Sequence, residues 1–139
     1  MSVLAVIDTN VLVSALLSKH ADAATVQIID RLFVGEIVPL INEKIMTEYE
    51  EVLQRSKFRF PKEIIWKLLE VIRQYGVDID PIITGEIIPD PKDIVFYEVA
   101  MTKQDEGAYL VTGNTKHFPI KPFIVTPSEM LHILRTNEE

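Results

Sequence analysis

The chain has 139 residues and 15.9 kDa, the size of one domain spanning 1–139, and such a unit is expected to bury roughly 68% of its unfolded surface. Hydrophobic residues at 47% and charged ones at 25% exclude a disordered or fibrous chain, and the lack of cysteine excludes disulfide scaffolds, thiolate metal sites and cysteine nucleophiles. A net charge of −7, from 14 Lys plus Arg against 21 acids, excludes a protein that coats nucleic acid with a basic face, but not an enzyme whose bound cations supply the positive charge.

The first predicted element is the apolar strand Val3–Ile7. It lacks the basic flank of a signal peptide, since the first lysine is Lys19, and Asp8 and Asn10 interrupt the apolar stretch. No apolar run approaches the roughly 20 residues of a membrane span, so a cytoplasmic protein is expected. A helix from Val11 follows, and helical periodicity continues to Gly35. Next come a strand at 36–39, a helix over about 42–56, a helix opened by Pro61 and closed by Gly76, and a strand at 77–79. Residues 86–93 form a connector in which Ile87 and Ile88 could make a short extra strand before Pro89. Pro91 opens another helix, strands follow at 109–112 and 123–125, and Thr126 to Glu129 spell a capping box ahead of the last helix. Strands alternating with helices of this length pair in parallel through right-handed crossovers, which predicts a three-layer α/β/α sandwich around a parallel sheet.

Ligands collect outside the carboxyl ends of such strands. Asp8 ends the first strand, and Asn114 follows the fourth through Gly113. Asp8 also reads as the N-cap of the helix it precedes, and Asn114 as a turn residue. In the helix over 42–56, Ile41, Ile45, Tyr49, Val52 and Leu53 share a face. Glu48 projects within about 40° of Ile41 and Val52, at the margin of that stripe, where a carboxylate needs water, a cation or a hydrogen-bond partner. Asp90 reads as an N-cap before Pro91, whereas Asp93 projects with Phe96, Tyr97 and Ala100 toward the sheet and is the better ligand candidate.

Asp8, Glu48 and Asp93 thus form a candidate trio at one sheet edge, with Asn114 beside them. Like charges so placed repel unless neutralised, and a hard cation such as Mg²⁺ or Mn²⁺ with oxygen ligands is the economical partner. Such an ion polarises a phosphodiester, lowers the pKa of a bound water and steadies the leaving oxygen, the machinery of hydrolytic nucleases.

The opening Val6-Ile7-Asp8-Thr9-Asn10-Val11-Leu12, the run from Glu48 to Leu53 and Asp90-Pro91-Lys92-Asp93 leading to Ala100 resemble PIN-domain ribonucleases. The stretch from Tyr109 to Asn114, followed by Lys116, His117, Phe118 and Pro119, is similar to the branch of toxin components of toxin–antitoxin systems. The resemblance covers nearly the whole chain. It implies a parallel sheet ordered 3-2-1-4-5, endonucleolytic cleavage of RNA with Mg²⁺ or Mn²⁺, inhibition by an antitoxin protein and a homodimer. By position, the family's acids fall on Asp8, Glu48 and Asp93. Many relatives carry a fourth acid where this chain has Asn114, an amide and a weaker ligand, which suits one firmly held metal and a second that arrives with substrate phosphate. Thr9, Asn10 and Thr112 read as residues that orient the carboxylates, with capping and strand-end bonding as the alternative, and Asp90 is near enough to stand in for the fourth acid.

The remaining candidates are weaker. His117, next to Phe118 and Pro119, reads as a packed loop residue rather than a general base, and His20 and His132 have no evident partner. Residues 55–62 interleave Arg55, Lys57, Arg59 and Lys62 with Phe58 and Phe60, a pattern that suits phosphate gripping and base stacking as well as it suits a solvated connection pinned by two aromatics. Trp66, Leu69 and Ile72 read as core or subunit interface. The competing function is a binding module without catalysis, for which Asn114 is the reason. An aspartyl-phosphate phosphatase would need an acid at Asn10, and no glycine cluster after the first strand supports a dinucleotide enzyme.

Overall fold

The computed structural model describes residues 2–137. Strand β1 (Val3–Ile7) lies at the centre of a five-stranded parallel sheet, with β2 (Ile37–Ile41) on one side and β4 (Tyr109–Val111) on the other. β3 (Val77–Asp78) and β5 (Ile124–Val125) form the edges, so the order is 3-2-1-4-5, as expected. Ala5 stands opposite both Pro39 and Tyr109, and Ile7 stands opposite Val111. Ala5, Val6 and Ile7 are fully buried, as a central strand covered on both faces requires.

Helices flank the sheet. α2 (Ala24–Phe33) packs on α1 (Thr9–Leu17) and α6 (Pro127–Asn137), while α3 (Glu43–Leu53) packs on α4 (Lys62–Tyr75) and α5 (Ile94–Thr102), the last lying across β1, β2 and β4. α3 starts where Asn42 accepts a hydrogen bond from Ile45 N at 3.0 Å, and it buries Ile45, Met46, Tyr49 and Leu53. The capping box of α6 forms both ways, with Thr126 N donating to Glu129 Oε1 at 2.8 Å and Glu129 N donating to Thr126 Oγ1 at 3.2 Å.

Several boundaries differ from expectation. β2 runs two residues past Pro39, because β3 pairs only with Leu40 and Ile41 and the missing proline donor costs no bond to that neighbour. α1 begins at Thr9 rather than Val11, since Val11 N already reaches Asp8 O at 2.9 Å. α3 stops at Leu53, short of Ser56, where Arg55 N turns back to Val52 O. Ile87 and Ile88 form no strand: Ile87 is exposed, Ile88 is buried, and the segment from Pro81 to Pro89 is laced onto α5 instead. Thr84 donates from N and Oγ1 to Glu98 Oε2 at 2.6 and 3.0 Å, and Tyr97 donates to Glu86 Oε1 at 3.0 Å. In α4, Leu69 and Ile72 enter the core, but Trp66 is 47% exposed, one residue round the helix from the buried Ile65.

Gly76 ends α4 beside Ile41. A Cβ there would lie 2.5 Å from Ile72 O and 2.7 Å from Ile41 Cδ1, so backbone and core side chain would both have to move. Gly76→Ala is therefore expected to destabilise the fold by about 1–3 kcal/mol, measured as a lower denaturant midpoint at unchanged slope.

Candidate active site

Asp8 leaves β1 with its N–H bonded to Val111 O at 2.9 Å, which extends the β1–β4 ladder by one residue and aims the side chain past the strand ends. Its carboxylate caps nothing on α1. Oδ2 accepts instead from Thr112 Oγ1 at 2.8 Å and from Asn10 Nδ2 at 3.3 Å, and the residue is 6% exposed. Burial raises the Asp8 carboxyl above its ordinary value, the Thr112 bond lowers it, and the charge of Glu48 raises it again. The N-cap alternative thus fails for the side chain, whose Oδ2 is held by Thr112 across the sheet and by the Asn10 side chain on α1, with no cap bond to the helix backbone.

Glu48 lies on the turn of α3 that also carries Tyr49. Tyr49, fully buried, donates its hydroxyl to Ile7 O, and burial together with the charges of Asp8 and Glu48 keeps that hydroxyl protonated. Glu48, the residue before it, lines the cleft and accepts from Thr9 Oγ1. Asp93 ends the single 3₁₀ turn Pro91–Asp93 that leads into α5, so it is not the third residue of the helix proper. Its side chain is 16% exposed. Burial and the charges of Asp8, Asp90 and Glu48 push the carboxyl up to about 6, and His117 pulls the other way.

The orienting residues form a lattice. Asn10 Oδ1 accepts from Gly113 N at 3.1 Å, and Thr112 Oγ1 accepts from Asn114 N at 3.0 Å while donating to Asp8. These bonds tie the ends of β1 and β4 together around one carboxylate. Asp90 does what its N-cap reading expects, accepting from Lys92 N at 3.0 Å.

Asp8, Glu48, Asp93 and Asn114 all line one cleft of about 600 Å³, together with Asp90, Lys92, Arg55, Phe58 and His117. A cavity of about 660 Å³ near Lys116 and Ile120 has only Glu129 as an acid, and that residue caps α6. His117 corrects the reading of a packed loop residue. Phe118 takes the buried place, while the imidazole stands in the cleft with Nδ1 3.8 Å from Asp93 Oδ2 and Nε2 3.0 Å from Asn114 Nδ2. The signal was the spacing: Asn114 and His117 are three positions apart and share a face when the strand end closes into the 3₁₀ turn Thr115–His117. Phe58 and Phe60 stack on each other at 5.3 Å and 9°, with Lys57 Nζ 5.1 Å from the Phe58 centroid.

The donor set has the chemistry of a hard-cation site: carboxylate oxygens and a neutral amide oxygen, with Asp8 and Asp93 both raised by burial and by neighbouring negative charge. It is also open, since among the described residues no three His, Asp or Glu groups close on a common point.

The PIN domain family matches residues 4–116. No curated protein matches the chain significantly. PIN domains are generally nucleases and typically use divalent metals, and their hydrolytic chemistry is what an acidic cleft of this kind serves. With its sheet order, its acids at the strand ends and a match over most of its length, the chain belongs to the PIN domain family.

Proposed function

We propose that the protein is a metal-dependent endoribonuclease that hydrolyses RNA phosphodiester bonds, the toxin component of a toxin–antitoxin module held in check by an antitoxin protein. The supporting observation is the arrival of three acids from separate elements, Asp8 from β1, Glu48 from α3 and Asp93 from the turn before α5, in one cleft at the carboxyl edge of the sheet. Asp8, Glu48 and Asp93 would hold Mg²⁺ or Mn²⁺, with Asn114 as a neutral oxygen beside them. When bound, the ion supplies a polarised phosphodiester and a water of lowered pKa. The chain's own residues do the rest: Thr112 and Asn10 fix the Asp8 carboxylate, Thr9 fixes Glu48, and His117 stands where it can donate a hydrogen bond to a phosphate oxygen next to Asp93. The toxin assignment and the antitoxin rest on the likeness of the segment from Tyr109 to Pro119 to that branch. We also propose one domain over 1–139 that works in the cytoplasm, and a homodimer, for which the exposed Ile64 and Trp66 of α4 offer apolar surface. No helix among the described residues is long and apolar enough to cross a membrane.

A second reading, a PIN-like module that binds RNA or a partner without cutting, is favoured by the amide at Asn114 and by the open arrangement of the acids. Tight RNA binding with no cleavage under Mg²⁺ or Mn²⁺ would select it.

On the nuclease reading, chelation abolishes RNA cleavage and added Mg²⁺ or Mn²⁺ restores it. Asp8→Asn and Asp93→Asn are each expected to cut the rate by more than about 100-fold, and Thr112→Val by about 10–100-fold, the range for residues that orient ligands. All three are expected to keep the native circular dichroism spectrum.

The raised acids also set a pH dependence. Asp93 in the metal-free fold titrates near 6, against an ordinary 3.8. Between those values the folded state holds more protons than the unfolded one, so this group's contribution falls as pH rises across that window. In thermal melts under chelator, Asp93→Asn should therefore gain Tm relative to the parent between pH 4 and pH 7. A divalent cation should raise the parent's Tm more at pH 7 than at pH 5.

A further inference from the structure

Two cations on one wall of the acidic cleft have no ion-pair partner among the described residues. Arg55 sits in the turn that closes α3, and Lys92 sits in the turn before α5. Both line the cleft with Glu48, Asp90 and Asp93, yet the ion pairs among the described residues are Arg31 with Glu36, Lys103 with Glu106 and His117 with Asp93. Neither the guanidinium nor the ammonium makes a hydrogen bond within the described chain. In a protein of net charge −7 surrounded by available carboxylates, this leaves both heads hydrated and free to take an anion.

Their position gives the anion a direction. Arg55 and Lys92 also line a second groove of about 330 Å³ along α3, where Lys44 and Thr47 stand beside the acids Glu43 and Glu51. Glu48 and Val52 are common to both cavities, so the two cations stand on the divide between them. A nucleic acid strand brought to the cleft meets acids that repel every phosphate except the one a metal ion neutralises, and the neighbouring phosphate needs positive charge of its own. Arg55 can take such a phosphate through two parallel N–H bonds, and Lys92 can take it as a point charge.

Resting on the nuclease reading above, we infer that Arg55 and Lys92 clamp the phosphates on one side of the scissile bond and lead the strand out of the acidic cleft into the groove beside Lys44 and Thr47. They act as positioning residues.

The test is equilibrium binding, which does not require cleavage. Asp8→Asn protein in Mg²⁺ is titrated into a fluorescein-labelled single-stranded RNA oligonucleotide and followed by anisotropy across a salt series. Arg55→Gln and Lys92→Gln, added to that background, should each weaken binding about 10-fold and lower the slope of log affinity on log salt by about 0.7. Arg55→Lys should keep the slope. Lys44→Gln should weaken binding only to oligonucleotides extended at one of their two ends. In the otherwise native chain, the Arg55→Gln, Lys92→Gln double variant should raise KM with kcat nearly unchanged. An unchanged affinity and slope in the double variant, or no RNA binding by the Asp8→Asn protein, overturns the clamp. Binding that depends on both cations in a protein that never cleaves keeps the clamp and removes the nuclease; cleavage by the double variant at the parent KM does the reverse.

Discussion

The site depends on one carboxylate, Asp8, being held out of water at the end of the central strand. A buried negative charge is costly unless hydrogen bonds or a cation offset it. Here a hydroxyl from Thr112 and an amide from Asn10 do so only in part, because burial and the charge of Glu48 still raise the group. The backbone leaves it no other place. Asp8 N is committed to Val111 O, and the next residue already belongs to α1. The chain thus keeps a local instability at its functional edge, which the fully buried strand beneath it outweighs.

The same economy runs through α3. Its buried stripe sends Tyr49 down to the carbonyl of Ile7, so the helix is bonded to the residue immediately before Asp8. Glu48 is the neighbour of that anchor and is therefore placed against the cleft with little freedom to move away. On the other side, the bonds of Asn10 to Gly113 and of Thr112 to Asn114 join the two strand ends. Three acids are brought to the lining of one cleft by strand pairing, an apolar helix stripe and a turn fixed by Asp90 and Pro91.

The electrostatics are divided by position. Negative groups gather at the strand ends, and Arg55 and Lys92, without an ion pair among the described residues, stand on the ridge beside them. An overall charge of −7 describes neither side of that division. Net charge bears on solubility and on long-range encounter, whereas the reaction a cleft can run is set by charges within a few ångströms of one another.

The alternation of strands and helices was legible because parallel pairing leaves period and punctuation in the chain: Val3–Ile7, the capping box at Thr126 and the turn at Pro91 are local signals with local causes. Residue identity also marked Asp8, Glu48, Asp93 and Asn114, since acids at strand ends or at the margin of an apolar stripe need an explanation. Boundaries were less legible. Where β2 ends depends on which of its residues β3 reaches, and where α1 starts depends on a backbone bond at Asp8. Arg55 and Lys92 owe their meaning to residues far along the chain, and no local pattern states which side chains will share a cleft. The sequence by itself determined the sheet, its helices and the chemical types available. Tertiary structure alone decided which of them meet, because hydrogen bonds and charge act through space and fall away within a few ångströms, whatever the separation along the chain.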